Sequence, residues 1–350
     1  MQPPRKGDTL LQAAVKVLNT PDPWLKAKFG DAAATLWMDG SISVAYNEND
    51  QVLVPDRPAR LPLAKLVAPQ QMPKLGKGGS LRSRQALLHS LVHIENWAID
   101  LSWDIIARFG KEEAMPREFF DDFVKVAREE GRHFTMLAAR LEQLEAFYGS
   151  FPVHDGLWDS AASTANDLSA RLAIEHCVHE ARGLDVMPTT VSRFRNGGDN
   201  ATAELLESVV YPEEISHCAA GVKWFTFIWL RANLTSPSAP FTRINSNTER
   251  IIEETNTYQD CRHSGNEGSC EEKIVTQSGA SVELNYTCDR NDGLDFLKSS
   301  FISQNVVPAF HAIVKKHFRG PLKPPFNEAA RAKAGFGPEW YLPLSTRFSK

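Results

Sequence analysis

Long apolar runs are missing from this sequence. No stretch of about 18 uninterrupted apolar residues occurs, so no membrane-spanning helix is predicted. The opening stretch, MQPPRKGDTLLQAAVKVLNTPDPW, has no apolar core of signal-peptide type and no small-residue cleavage site, so a cytoplasmic protein is expected. Cysteine is scarce. Five occur in 350 residues and none forms a Cys-x-x-Cys pair, which argues against a disulfide framework and against the common zinc modules. Excess positive charge is also absent: 39 Lys and Arg against 43 Asp and Glu give a net charge of −4, which excludes a globally basic nucleic-acid coat. No Gly-x-Gly-x-x-Gly fingerprint marks a built-in flavin or nicotinamide site. What remains is an ordinary globular composition, 42% apolar and 23% charged, on a chain long enough to bury a full core.

Four segments carry apolar residues at a spacing near 3.6 and are expected as helices: about 82–109, 116–147, 163–192 and 200–231. Pro116 suits the start of the second. The loop GSFPVHDGLWDSAAST is long enough to cross one end of a bundle. Residues 1–80 are read as an N-terminal helix (8–18, capped by Asp8), a hairpin over 41–54, and an extended proline-rich, basic arm. Residues 81–232 form the four-helix bundle, 233–292 a polar, disordered insertion, and 293–350 a C-terminal helix with a proline-rich tail packing on the bundle. The insertion holds Cys261, His263, Cys270 and Cys288, a set whose spacing makes a weak case for zinc.

An internal repeat is the decisive feature. Placing HIENWAIDLSWDIIARF (93–109) over VHEARGLDVMPTTVSRF (178–194) aligns Glu95 with Glu180, Asp100 with Asp185, Arg108 with Arg193 and Phe109 with Phe194. Glu130 stands 35 residues beyond Glu95 in EEGRH, and Glu214 stands 34 beyond Glu180 in EEISH. Both continue as Glu-x-x-His, giving Glu130 with His133 and Glu214 with His217. On each helix the acid interrupts an apolar stripe, such as Leu88, Val92, Glu95, Ile99 and Ile106 on the first. A carboxylate in that position must be paired, hydrogen-bonded, neutralised or bound to metal. One Glu from each of two helices and Glu-x-x-His from each of the others is the ligand set of di-iron and di-manganese carboxylate bundles. Hard carboxylate oxygens suit two such metals, and one imidazole for each raises affinity for iron or manganese.

The segments LLHSLVHIENWAIDLSWD, AREEGRHF, HEARGLDV and HFRGPLKPPFNEAARAKAGFGPEWY, with the arm RPARLPLAKLVAPQQMPKLGK, resemble the ferritin-like superfamily. The likeness is closest to its domain-of-unknown-function family number 455, relatives of the tRNA hydroxylase that oxidises a methylthio-isopentenyl adenosine. It covers most of residues 55–232 and 306–344, and the polar stretch near 235–290 departs from the pattern. The resemblance implies an all-α, ferritin-like four-helix bundle with a dinuclear metal site, an N-terminal arm, an extra C-terminal helix and an extended tail. Its metal ligands would be Glu95, Glu130, His133, Glu180, Glu214 and His217.

The function expected is that of a non-haem di-iron oxygenase or hydroxylase. Two iron ions, or manganese or a mixed pair, would serve as cofactor, dioxygen as co-substrate, and an external reductase as electron donor. By kinship alone a modified tRNA nucleoside is a candidate substrate. The alternatives are an iron-oxidising, metal-handling protein without organic substrate, and a binding module whose metals only brace its helices.

The neighbours admit two readings each. Asp100 and Asp185 can accept the distal N–H of His133 or His217, or pair with Arg108 or Arg182 on the helix surface. His93 and His179, with His89 and His176, are structural histidines, or one of them is a further ligand or a proton relay, and Tyr211 is a candidate redox neighbour. Glu129 and Glu213, one step off the ligand face, are solvated or support the ligands. The runs KLGKGGSLRSR and KKHFRGPLK are solvated surface or patches that hold a phosphate or an RNA backbone.

Overall fold

The computed structural model describes residues 2–49, 52–234, 273–275, 281–283, 305–320 and 322–345. The chain divides into one unit of Met1–Ile228 with Val307–Lys350, and a second of Trp229–Val306. The first unit is helical among its described residues. None of the described helices is long and apolar enough to cross a membrane.

Helix α1 (Leu10–Leu18) starts at a capping box, in which Thr9 and Gln12 satisfy each other's backbone N–H. Helix α2 (Pro23–Met38), for which the sequence shows no clear periodicity, begins at an Asp22 cap with Pro23 in the first turn. The hairpin expected over 41–54 does not form among the described residues. The carbonyls of Val44 and Ala45 instead accept from the N–H groups of Leu10 and Leu11, donors left free at the start of α1. The arm is extended and bound by backbone hydrogen bonds: Ala59 N–H to Leu18 O, Leu61 N–H to Pro21 O, and Val67 N–H to Val153 O.

Helix α3 (Leu81–Phe109) is capped by Ser80, and α4 (Arg117–Gln143) follows a short turn and packs along it. The loop after α4 contains a short helix, α5 (Gly156–Ala162). The third long segment is composite. It starts as α6 (Leu168–Arg171), capped by Asp167, widens into a π-helix over Leu172–His179, and continues as α7 (Glu180–Asn196). The fourth repeats that plan, with α8 (Asn200–Leu205), a π-turn over Leu206–Val210, and α9 (Tyr211–Leu234).

One π-segment has a local cause, and the other lies against a close neighbour. Pro212 offers no N–H and its ring crowds the carbonyl four residues back, so the turn before it opens. Gly221 of α9 meets the other π-segment so closely that a Cβ there would lie 1.9 Å from the His176 carbonyl oxygen. Only a glycine admits that approach.

After α9 the second unit shows an antiparallel strand pair, β1 (Lys273–Val275) and β2 (Ser281–Glu283), with Ile274 opposite Val282. The expected disorder of 233–292, and the Cys261, His263, Cys270 and Cys288 set, otherwise lie outside the described residues. The C-terminal helix predicted near 294–318 is described as α10 (Val307–His317), and its earlier part also lies outside. The tail folds as α11 (Glu328–Lys333) and α12 (Pro338–Tyr341), with Phe336 and Trp340 packed on Phe310.

Candidate metal centre

Six side chains meet where four helical segments converge. Glu95 comes from the middle of α3, Glu130 and His133 from α4, Glu180 from the first turn of α7, and Glu214 and His217 from α9. All are buried except Glu180, which is partly exposed. Ligand-capable atoms of Glu95, Glu130, His133 and Glu214 lie within 4.8 Å of one another, and so do those of Glu130, Glu180, Glu214 and His217. Glu130 and Glu214 belong to both sets.

The histidines are aimed by bonds that cross between the repeats. His133 Nε2 bonds to Glu213 Oε2 at 2.7 Å, and His217 Nε2 bonds to Glu129 Oε2 at 3.0 Å. A carboxylate accepts, so each Nε2 carries the hydrogen and each Nδ1 faces the cluster. His133 Nδ1 stands 3.5 Å from Glu95, 3.6 Å from Glu130 and 3.4 Å from Glu214. His217 Nδ1 stands 2.9 Å from Glu130 Oε1. Both Nδ1 atoms and Glu130 Oε2 are nonetheless buried without an aligned hydrogen-bond partner. Arg132 pairs with the other oxygen of Glu213, and Lys125 stands 3.8 Å from Glu129.

The cluster's own groups share charge unevenly. Burial, then the Glu130 charge, pushes the Glu95 carboxyl well above the usual range. Burial, then Glu214 and Glu130, does the same to Glu180. Burial also opposes ionisation of Glu130, but the His217 charge and bonds from both histidines outweigh it and hold Glu130 below the ordinary value. Conversely, burial opposes charge on His133 and His217, and the surrounding carboxylates overcome it and raise both. Protons thus sit where cations would relieve the same repulsion. Orphaned inward-facing donors, hard oxygens in excess and two imidazoles fit a metal ion. This buried Glu and His cluster can hold metal.

Other expected neighbours lie elsewhere. Asp100 does not reach either histidine, and Arg108 is not its partner. It is fully buried, accepts from Lys26 Nζ at 2.6 Å, and is paired with Arg60 of the arm. Asp185 is bound by Arg331 Nε at 2.8 Å and by the Asn327 N–H at 2.8 Å, both from the tail. The two repeat-related aspartates therefore each anchor an arginine from a flanking segment. His93 points away from Glu95, with Nδ1 2.8 Å from the Tyr148 hydroxyl and Nε2 accepting from Trp97. His179 Nε2 lies 3.3 Å from the Ser160 hydroxyl, and the Tyr211 hydroxyl accepts from Asn327. The signal for Glu129 and Glu213 was in the sequence as a doubled Glu before each histidine.

Residues 19–262, more than half of the chain, match the family described as protein of unknown function (DUF455). The chain belongs to this family. The family match takes in α2 and ends before the tail, whose resemblance was expected to extend over 306–344. The chain is also 37% identical over 164 residues to an uncharacterized protein of Haemophilus influenzae. That alignment covers 46% of this chain and 56% of the relative, so the chain spans about half the length of the curated protein it matches. No solved structure matches.

Proposed function

We propose that this member of the family is a ferritin-like protein that binds two iron ions at the cluster and uses them in a dioxygen-dependent oxidation. The observation that carries the reading is the sharing of Glu130 and Glu214 between two four-residue sets. Shared carboxylates are what a pair of adjacent cations requires. Glu95 and His133 would complete one subsite, Glu180 and His217 the other. Bound iron would supply one-electron redox chemistry and the reduction of dioxygen.

The chain's own residues set the conditions for it. Glu213 and Glu129 fix the tautomer and ring angle of His133 and His217, so both present an unprotonated Nδ1 once a cation displaces the proton. The buried faces of α3, α4 and α9 limit water at Glu95, Glu130 and Glu214. Glu180, partly exposed, marks the more open side of the cluster. Electrons would come from a partner reductase, because the chain carries no flavin or nicotinamide fingerprint. A modified tRNA nucleoside remains the candidate organic substrate by resemblance alone.

Metal analysis of protein expressed with iron tests the reading. About two ions per chain are expected, falling sharply in Glu130→Ala and His217→Ala, with oxygen consumed when the anaerobically reduced protein meets air. Less than about one ion per chain, unchanged in both variants, overturns it. Iron loading well beyond two per chain would instead favour metal handling. Tightly held metal that takes up no oxygen would favour a bracing role.

A further inference from the structure

A cavity of about 390 Å3 lies on the side of α3 away from the metal cluster, between that helix, the end of the arm and the loop after α4. His93 and Trp97 line it, and each stands two residues from Glu95, about 200° around the helix. The cavity and the cluster are therefore back to back on one helix.

Its lining is chemically one-sided. Phe151, Ile94 and Leu157 supply apolar walls, with Ile94 47% exposed, while Trp97 is buried with Arg60 over its ring and Trp158 stacked on it. Lys74 and Arg82 stand on the lining, and no Asp or Glu does. Neither cation has a carboxylate partner among the described residues. In a chain where acids outnumber bases, an acid-free hollow with two free cations is a marked local departure. The first turn of α3, through Ser80, Arg82 and Ser83, opens on the same space, adding the positive end of a long helix dipole. His89 and His93 add no charge. Burial lowers His89 to about 4 and His93 to about 3, and Nε2 of each already accepts a hydrogen bond.

We infer that this cavity binds a small aromatic phosphate monoester, with its ring against Phe151 and Ile94 and its phosphate between Lys74, Arg82 and the start of α3. The volume falls in the range of small-molecule sites, about 300 to 1,000 Å3. Apolar walls with a few convergent cations give such a ligand both contact area and orientation. The site is separate from the metal centre and does not depend on what that centre does.

Titration calorimetry of the full chain with adenosine monophosphate and phenyl phosphate tests the inference. Adenosine and inorganic phosphate, each carrying half of the recognised chemistry, serve as controls. Both monoesters are expected to bind at least about tenfold more tightly than either control, and less tightly as salt rises. The double variant Lys74→Glu, Arg82→Glu changes exposed side chains only and should weaken both monoesters by about tenfold or more. Ala86→Trp should block the cavity from the α3 side, while Glu130→Ala should leave binding intact. No monoester binding at millimolar concentration, equal binding of adenosine, or undiminished binding by the double charge reversal overturns the assignment. Loss of binding in Glu130→Ala would place the ligand at the metal cluster and overturn it as well.

Discussion

Nε2 of His217 lies 3.0 Å from Oε2 of Glu129, a carboxylate on the opposite Glu-Glu-x-x-His helix. His133 and Glu213 repeat the contact in the other direction at 2.7 Å. Partners of this kind hold a ligand's tautomer and angle, and losing one lowers metal affinity about 10- to 100-fold. Glu129→Ala and Glu213→Ala are each expected to show that loss in chelator competition, without loss of folding. The Gln variants keep an acceptor oxygen and should lose less. Unchanged affinity in both alanine variants would mean that the crossed bonds do not orient the ligands.

Among the described residues Asp100 is the only carboxylate bonded to Lys26, and both side chains are buried to 1% exposure or less. Burial lowers the Lys26 amine, and Asp100 opposes that shift. Removing the acid strands an ammonium in the core and frees Arg60 of the arm. Asp100→Ala is expected to cost about 3–5 kcal/mol in urea unfolding. Replacing Lys26 and Asp100 together by methionine and leucine should cost much less, since no buried ammonium is then stranded and the partly exposed Arg60 alone loses its carboxylate. Equal losses in the single and double variants would contradict the pairing argument.

Gly221→Ala is a sharper test of the π-segment. The added methyl would overlap the His176 carbonyl oxygen, and backbone on two helices cannot rotate aside as a side chain can. A loss of about 3 kcal/mol or more is expected. Because His217 lies one turn away on α9, metal content should fall as well. A stable Gly221→Ala protein with full metal content would show that the two helices separate easily.

Glu175 gives a pH signature. Burial, against relief from Ser160 and Arg171, raises its carboxyl from 4.5 to about 7. The folded chain therefore keeps this proton up to about pH 7, while the unfolded chain releases it near pH 4.5. Its contribution is fully present below the unfolded value and is lost as pH rises through the folded one, by up to about 3 kcal/mol. Glu175→Gln keeps an acceptor for Ser160 and never ionises. It should raise the melting temperature clearly at pH 8 and little at pH 5. An equal gain at both pH values would rule out ionisation as the cause.

The residues of the Glu and His cluster were legible because each acid breaks an apolar stripe, and because the breaks recur at matching distances in two halves of the chain. Placement of the supporting residues was not. Lys26 precedes Asp100 by 74 positions and Arg331 follows Asp185 by 146, so no local pattern connects either pair. Helix α2 carries no hydrophobic periodicity because residue type and burial disagree there: its buried face takes in Lys26 and Gly30, while Trp24, Leu25 and Met38 are exposed, and its start rests on Asp22 and Pro23 instead. The alternation over 41–54 suggested strands, but the carbonyls of Val44 and Ala45 are taken by the unsatisfied start of α1. One π-segment depends on Pro212 and the other lies closely against Gly221, neither of which periodicity encodes.

Each of the two ligand sets takes three residues from one Glu-Glu-x-x-His hairpin and one from the other. A hairpin alone, residues 81–143 for example, lacks a ligand and also the acid that steadies its histidine. Each half alone therefore offers an incomplete site, and the second half emerges from the ribosome last. An ion held as proposed would then act as a late lock, completed only once both halves have docked.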